Sequence, residues 1–301
     1  MEQTYRLGLD AGSTTLKLAL LDAEGHLVFS RYERHHAKVR ETLATLLAEA
    51  RAAVGDVSVM PHVTGSVGMG IAETCGLPFV QEVVAATNYI RRFHASAATL
   101  IDIGGEDAKV VFFRDGEATD LRMNGNCAGG TGAFIDQMAI LLGVPVERLD
   151  ELALEARHIY PIASRCGVFS KTDIQNLIAK NAGRADIAAS IFHAVAVQVV
   201  VTLAHGCEIK APLLFCGGPL TFLRALRTAF ADYLHLPPDS IILPEGAHLI
   251  PACGAALSAA PASAMSLTAL AVRIDAHKEG TADLTAGLPP IFNDEADHRR
   301  W

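Results

Sequence analysis

Two stretches of this chain repeat one pattern: an apolar strand carrying an aspartate at its end, a glycine-rich turn, and an apolar strand running back. The first copy spans residues 5–10, turns through Ala-Gly-Ser-Thr-Thr at 11–15, and returns over 16–21. The second spans Thr99–Ile103, turns through Gly104-Gly105-Glu106-Asp107, and returns over 108–113. Their aspartates, Asp10 and Asp102, lie 92 positions apart. Duplicated supersecondary structure predicts an α/β chain of two similar subdomains facing each other. At 301 residues, half of them hydrophobic, there is apolar material for a core in each.

Charge and hydropathy exclude other classes. A net charge of −8 argues against a general nucleic-acid binder, which needs a basic stripe. Residues 187–207 contain no Asp, Glu, Lys or Arg, nearly the length of a bilayer span. Ser190, His193, Gln198, Thr202 and His205 interrupt that stretch, so it predicts a buried helix and no membrane partner. The start of the chain runs straight into a strand with no apolar leader, which gives a cytoplasmic location as the expectation.

Between the hairpins the pattern predicts a strand near 26–31, a helix over 40–54, a strand over 57–64 and a helix over 80–93. After them come helices over 133–142, 170–181, 186–207 and 220–233, with Ser170 or Thr172 as an N-cap. A buried strand at Leu213–Cys216 ends at Gly217-Gly218-Pro219, and the folded part closes with 241–243 and 252–260. The expected divisions are 1–95, 96–250 with its cysteines, and 251–301, the last packing back on the first. His35-His36 reads as a solvated pair, and Glu82 as a helix-start carboxylate.

The turns carry the chemistry. Gly12, Ser13, Thr14 and Thr15 offer close backbone approach and hydroxyl donors to a phosphate, and Lys17 adds positive charge. Asp10 and Asp102 can hold Mg²⁺ through water, which that ion retains. Gly104 and Gly105 supply a second backbone nest, and Gly217 and Gly218 present flat backbone to a purine and ribose. No G-x-x-x-x-G-K-[ST] occurs. Three glycine sites with two acidic residues, in this order, resemble the actin-like ATPase superfamily. That resemblance implies two RNase H-like subdomains with ATP or ADP between them.

Six cysteines in an intracellular chain are thiols or metal ligands. Cys75, Cys207, Cys216 and Cys253 read as core residues. Cys127 and Cys166 stand instead in glycine-rich or polar turns ahead of helices, 39 positions apart, neither with a second cysteine close by. A four-thiolate site built on them needs a second copy of the chain. The segments Asn124-Gly-Asn-Cys-Ala-Gly-Gly-Thr-Gly-Ala133 and Ser164-Arg-Cys-Gly-Val-Phe-Ser-Lys-Thr-Asp173 resemble the activator family of 2-hydroxyacyl-CoA dehydratases and ATP-dependent benzoyl-CoA reductases. The resemblance spans residues 5–258. It implies a homodimer with one [4Fe–4S] cluster held by Cys127 and Cys166 of each copy. It also implies ATP hydrolysis, a ferredoxin or flavodoxin-type electron donor, and a partner iron–sulfur dehydratase or reductase as acceptor.

Two positions depart from that family. Glu106 replaces the usual Gln, and a carboxylate there can act as a base toward water or repel phosphate. Pro219 removes one backbone donor from the adenosine motif. The rival readings are a sugar or carboxylate kinase of the same fold, a nucleotide-binding scaffold, and two merely structural thiols.

Overall fold

The structure is a computed structural model and describes residues 4–124, 127–259, 264–276, 292 and 295–300. Gly125 and Asn126 of the first cysteine motif, and most of the tail from 261, lie outside the described residues.

Along the first half run β1 (Thr4–Ala11), β2 (Thr15–Leu21), β3 (Leu27–Arg34), α1 (Val39–Val54), β4 (Ser58–Thr64), α2 (Gly68–Cys75) and α3 (Glu82–Phe93). The second half begins with β5 (Thr99–Ile103), β6 (Ala108–Arg114) and β7 (Glu117–Asn124). Four helices follow: α4 (Gly132–Leu142), α5 (Val146–Leu154), α6 (Gly167–Ala179) and α7 (Arg184–Val199). Then come β8 (Leu213–Cys216), α8 (Gly218–Phe222), α9 (Arg224–Leu234), β9 (Ile241–Ile242), α10 (Ile250–Leu257), β10 (Met265–Ser266) and α11 (Leu267–Asp275).

These strands make two five-stranded sheets with one order, β3-β2-β1-β4-β10 and β7-β6-β5-β8-β9. In each, an antiparallel meander supplies three strands and a parallel strand follows across from the first. The final strands differ: β10 runs antiparallel to β4, whereas β9 runs parallel to β8. The duplication reaches single residues. Asp10 lies opposite Lys17 and Asp102 opposite Lys109. Gly12 N–H donates to the Thr15 carbonyl at 3.0 Å, and Gly104 N–H to the Asp107 carbonyl at 2.9 Å.

The first sheet packs Leu7, Leu9, Leu16, Leu18 and Leu20 against Leu43, Leu46 and Leu47 of α1. The second packs Ile101, Val110 and Phe215 against α4, α7 and α9, and α7 is the apolar stretch, buried in that core. Helix α3 adds Ala86 and Ile90 to Leu100, Val111 and Leu214 on the other face of the second sheet. Helix α10 lies on Ala19 and Leu21 of the first.

Two glycines permit the close approach of α10 to α3 and to β1. A Cβ on Gly254 would run into the Ala85 carbonyl, and one on Gly8 into the Ala252 carbonyl. Gly254→Ala is therefore expected to force these backbones apart, at about 1–3 kcal/mol. The thermal midpoint should fall by roughly 2–10 °C in a melting experiment; an unchanged midpoint would show that the helices separate freely.

Several expected elements shift. The helix expected over 170–181 begins at Gly167 with Cys166 as its N-cap residue. Ser170 caps nothing; its hydroxyl donates back to the carbonyls of Ala163 and Cys166. The helix expected over 186–207 passes at Val200 into a wider π turn, which His205 closes in a left-handed conformation. The helix expected over 220–233 breaks at the extended Leu223, where Asp150 accepts the Ala225 N–H at 2.8 Å and starts α9 anew. Elements α2, α5 and β7 have no counterpart in the sequence pattern. Helix α5 is amphipathic but only nine residues long and buries only Leu149 and Ala153, and β7 is an edge strand with no buried residue.

Candidate nucleotide cleft and cysteine site

The register sets two aspartate–lysine pairs at the base of the hairpins. Lys17 Nζ lies 2.8 Å from Asp10 Oδ2. Burial lowers the Lys17 pKa and Asp10 more than offsets this, leaving the ammonium raised and charged. Asp10 itself is 1% exposed, and its Oδ1 is buried without a hydrogen-bond partner. Lys109 contacts three carboxylates, Asp107 at 2.8 Å, Glu82 at 3.1 Å and Asp102 at 3.9 Å. Burial raises the Asp102 carboxyl above the ordinary range, against the pull of Lys109.

Glu82 is the first residue of α3, as expected, but it also turns into the cleft. Burial raises its pKa to about 7, Lys109 pulling down while Asp10, Asp102 and Asp107 push up. The folded carboxyl thus keeps its proton up to about pH 7, whereas a free one loses it near 4.5. The folded state binds more protons in that window, so stability falls as pH rises through it and stays low above. Glu82→Gln removes this loss. The midpoint of the variant should gain on the wild type between pH 5 and 8; parallel curves across that range would contradict the buried carboxyl.

A narrow cavity of about 80 Å³ is lined by Thr14, Thr15, Lys17, Glu82, Asp102, Gly104, Gly105, Gly217, Gly218 and Pro219, with Tyr32, Arg34, Asp136 and His248. A wider one of about 510 Å³ adjoins it, sharing Tyr32, Arg34, Gly132, Asp136, Gly218 and Pro219, and extends to Phe222, Val146 and Glu147. Ligand pockets typically measure about 300–1,000 Å³, a range that includes the wider space and not the narrow one. Gly217 has φ +87, and a Cβ there would meet the Ile103 carbonyl and the Asp102 carboxylate. Gly12 and Ser13 sit half-buried in the first turn, and Glu106 is exposed at the tip of the second.

His35 is buried, 5% exposed, against the solvated expectation. Its Nε2 lies 3.1 Å from the Gly12 carbonyl and braces the first turn. His248 packs edge-on against Tyr32 at 5.0 Å. Burial, then Lys17, lowers its pKa to about 4, so the ring is neutral.

The cysteine turns adjoin the second hairpin. Gly132 N–H donates to the Gly104 carbonyl at 3.0 Å, and Ala133 N–H to the Gly105 carbonyl at 2.7 Å. Asn124 accepts the Ala108 N–H at 2.8 Å and donates to the Gly129 carbonyl at 3.1 Å. Cys127 is exposed and its sulfur accepts the Gly129 N–H at 3.4 Å; Cys166 is half-exposed. The two turns touch, since a Cβ on Gly167 would stand 3.6 Å from Gly129 Cα. Cys75, Cys216 and Cys253 are buried as expected. Cys207 is not: it is half-exposed beside Arg122, whose Nη2 lies 3.1 Å from its sulfur.

The chain is similar to several known proteins. The chain is 30% identical over 223 residues to the (R)-2-hydroxyglutaryl-CoA dehydratase activating ATPase of Acidaminococcus fermentans, covering 71% of this chain and 82% of that one. An uncharacterised protein of Methanocaldococcus jannaschii is 31% identical over 85% of this chain, which spans 62% of that longer relative. The solved activator of the 2-hydroxyisocaproyl-CoA dehydratase from Clostridium difficile, with bound ADPNP, superposes with a TM-score of 0.74 at 28% identity. That match covers 85% of this chain and 94% of the activator. The fold is the actin-like ATPase fold of two RNase H-like subdomains. The BadF/BadG/BcrA/BcrD ATPase family model matches residues 7–259, more than four-fifths of the sequence, and the chain belongs to that family.

Proposed function

We propose that this protein is an ATP-hydrolysing activator. Two copies share a [4Fe–4S] cluster and deliver a low-potential electron to a partner iron–sulfur dehydratase or reductase. The observation that carries the reading is the hydrogen-bonded seam between the second phosphate turn and the cysteine turn, through Gly104, Gly105, Gly132, Ala133 and Asn124.

The residues suit the groups such a reaction needs. Asp10 offers a buried, unpartnered oxygen beside the phosphate turn, so Asp10 and Asp102 would hold Mg²⁺ through its waters. Bound there, Mg²⁺ would offset phosphate charge. Cys127 and Cys166 precede helices and stand open to a second copy, and the Gly129 amide already points at sulfur. The bound cluster would supply one-electron chemistry.

The rest is the work of side chains and backbone. Thr14, Thr15, Lys17, Gly104 and Gly105 would grip the phosphates, with Gly12 and Ser13 shaping the first turn. Gly217, Gly218 and Pro219 would seat the adenosine. Water attacks the terminal phosphoryl group, its bond to ADP breaks, and positioning with charge stabilisation provides the rate. Glu106, at the turn tip, is the proposed acceptor of the water's proton. Loss of the terminal phosphate would change the second turn, and the seam would carry that change to the cysteines. A ferredoxin or flavodoxin-type protein would reload the electron. A cytoplasmic setting belongs to the same proposal.

ATP hydrolysis distinguishes this reading from a small-molecule kinase. Phosphate release from ATP and Mg²⁺, with no acceptor added, is expected; release that appears only with a sugar or carboxylate would favour the kinase.

A further inference from the structure

Two cations reach the narrow cavity from opposite conditions. Lys17 is buried and committed to Asp10. Arg34, on β3 of the first sheet, is half-exposed and held by Asp136 of α4 in the second half, Nη1 to Oδ2 at 2.7 Å and Nη2 to Oδ1 at 3.3 Å. Arg34 and Asp136 both line the narrow cavity and the wider one beside it. Their fork therefore borders the space that Thr14, Lys17, Gly104 and Gly105 line, and it joins the two subdomains.

Helix α4 connects that fork to the cysteine turn. Its first two amides are the ones bonded to Gly104 and Gly105, and Cys127 lies five residues before its first residue. Asp136 sits one turn into the same helix.

We propose that Arg34 reads the terminal phosphate of the nucleotide, exchanging Asp136 for it, and that this exchange releases α4 and the Cys127 turn. The inference rests on the nucleotide reading of the cleft and deepens it. A guanidinium forms the same two-pronged bond with phosphate as with a carboxylate. ATP brings a more highly charged competitor into the cavity than ADP does. With ADP the terminal position is empty, and Arg34 returns to Asp136. Asp136 is thus the resting partner and, through its charge, an opponent of phosphate entry.

The test measures binding of fluorescent non-hydrolysable ATP and ADP analogues to the full chain, with Mg²⁺. It also follows alkylation of Cys127 in iron-free protein by peptide mass spectrometry. In the wild type, the ATP analogue should bind more tightly and alter Cys127 labelling, and ADP should not alter it. Arg34→Ala should lose about tenfold or more in affinity for the ATP analogue with little change for ADP. Its Cys127 labelling should no longer respond. Asp136→Asn should tighten ATP-analogue binding and label Cys127, without nucleotide, at the rate the wild type shows with it. If both variants keep the wild-type preference for ATP over ADP, the ion pair is only a surface tie and the proposal falls. If the wild type binds neither nucleotide, the failure lies with the cleft reading itself.

Discussion

Asp10→Asn is expected to lower ATP hydrolysis by about a hundredfold to a thousandfold, the usual cost of removing one preorganised charge from a reacting centre. The two oxygens of Asp10 have separate duties. Oδ2 pairs with Lys17 at 2.8 Å, while Oδ1 is buried with no protein partner. An unpaired buried oxygen costs free energy unless something outside the protein satisfies it, and in the proposed reading a hydrated cation beside the phosphates would do so. Asparagine keeps the shape but removes the charge that would order the cation and keep Lys17 in place. Folding should survive with a lowered melting midpoint, because the buried ammonium loses its main partner. Phosphate release measured alongside a melting curve separates the two effects. Near-normal turnover by a folded variant would remove Asp10 from the chemistry.

Cys127→Ala should abolish iron binding and leave both the fold and nucleotide binding in place. Cys127 is exposed and Cys166 half-exposed, and Cys166 makes no side-chain capping bond at the start of α6. Neither thiol fills a core, so the substitution opens no cavity. Cys216 is the internal contrast, since it is fully buried and its thiol donates to the Ala247 carbonyl at 3.3 Å. Cys216→Ala should lower stability by about 1–2 kcal/mol without changing iron content. Iron analysis and visible absorption of anoxically purified variants check both statements. Unchanged iron in Cys127→Ala would break the assignment.

The hairpins were legible because their signal is local: an aspartate, small residues, then alternation. The same signal holds more than the glycines. Lysine follows each aspartate at a spacing of seven, Asp10 to Lys17 and Asp102 to Lys109, and the register makes each a cross-strand pair. Comparing the copies residue by residue would have found Lys109. Glu82 and His35 were less accessible. Glu82 reads locally as a helix start, and only the packing of α3 beside the second sheet aims it at Lys109. His35 becomes a brace because the chain turns after β3 and brings its ring under Gly12, a contact 23 residues apart. Arg34 and Asp136 are 102 residues apart, and no local pattern joins them. The break at Leu223 likewise depends on Asp150, 75 residues before the amide it accepts.

The cysteine pair gains its meaning from this geometry. Each thiol precedes a helix whose start lies against the second phosphate turn or against the first cysteine turn. In the proposed reading, a change in that turn would act on the thiols, and a cluster completed by a second copy would report it to the partner enzyme.

The most direct test is sedimentation of anoxically purified protein with iron counted across the same boundary. The account predicts a dimer carrying one [4Fe–4S] cluster per two chains, with iron and dimer lost together when either cysteine is replaced. A complete cluster on a single chain, or a dimer that forms and hydrolyses ATP without iron, would contradict it.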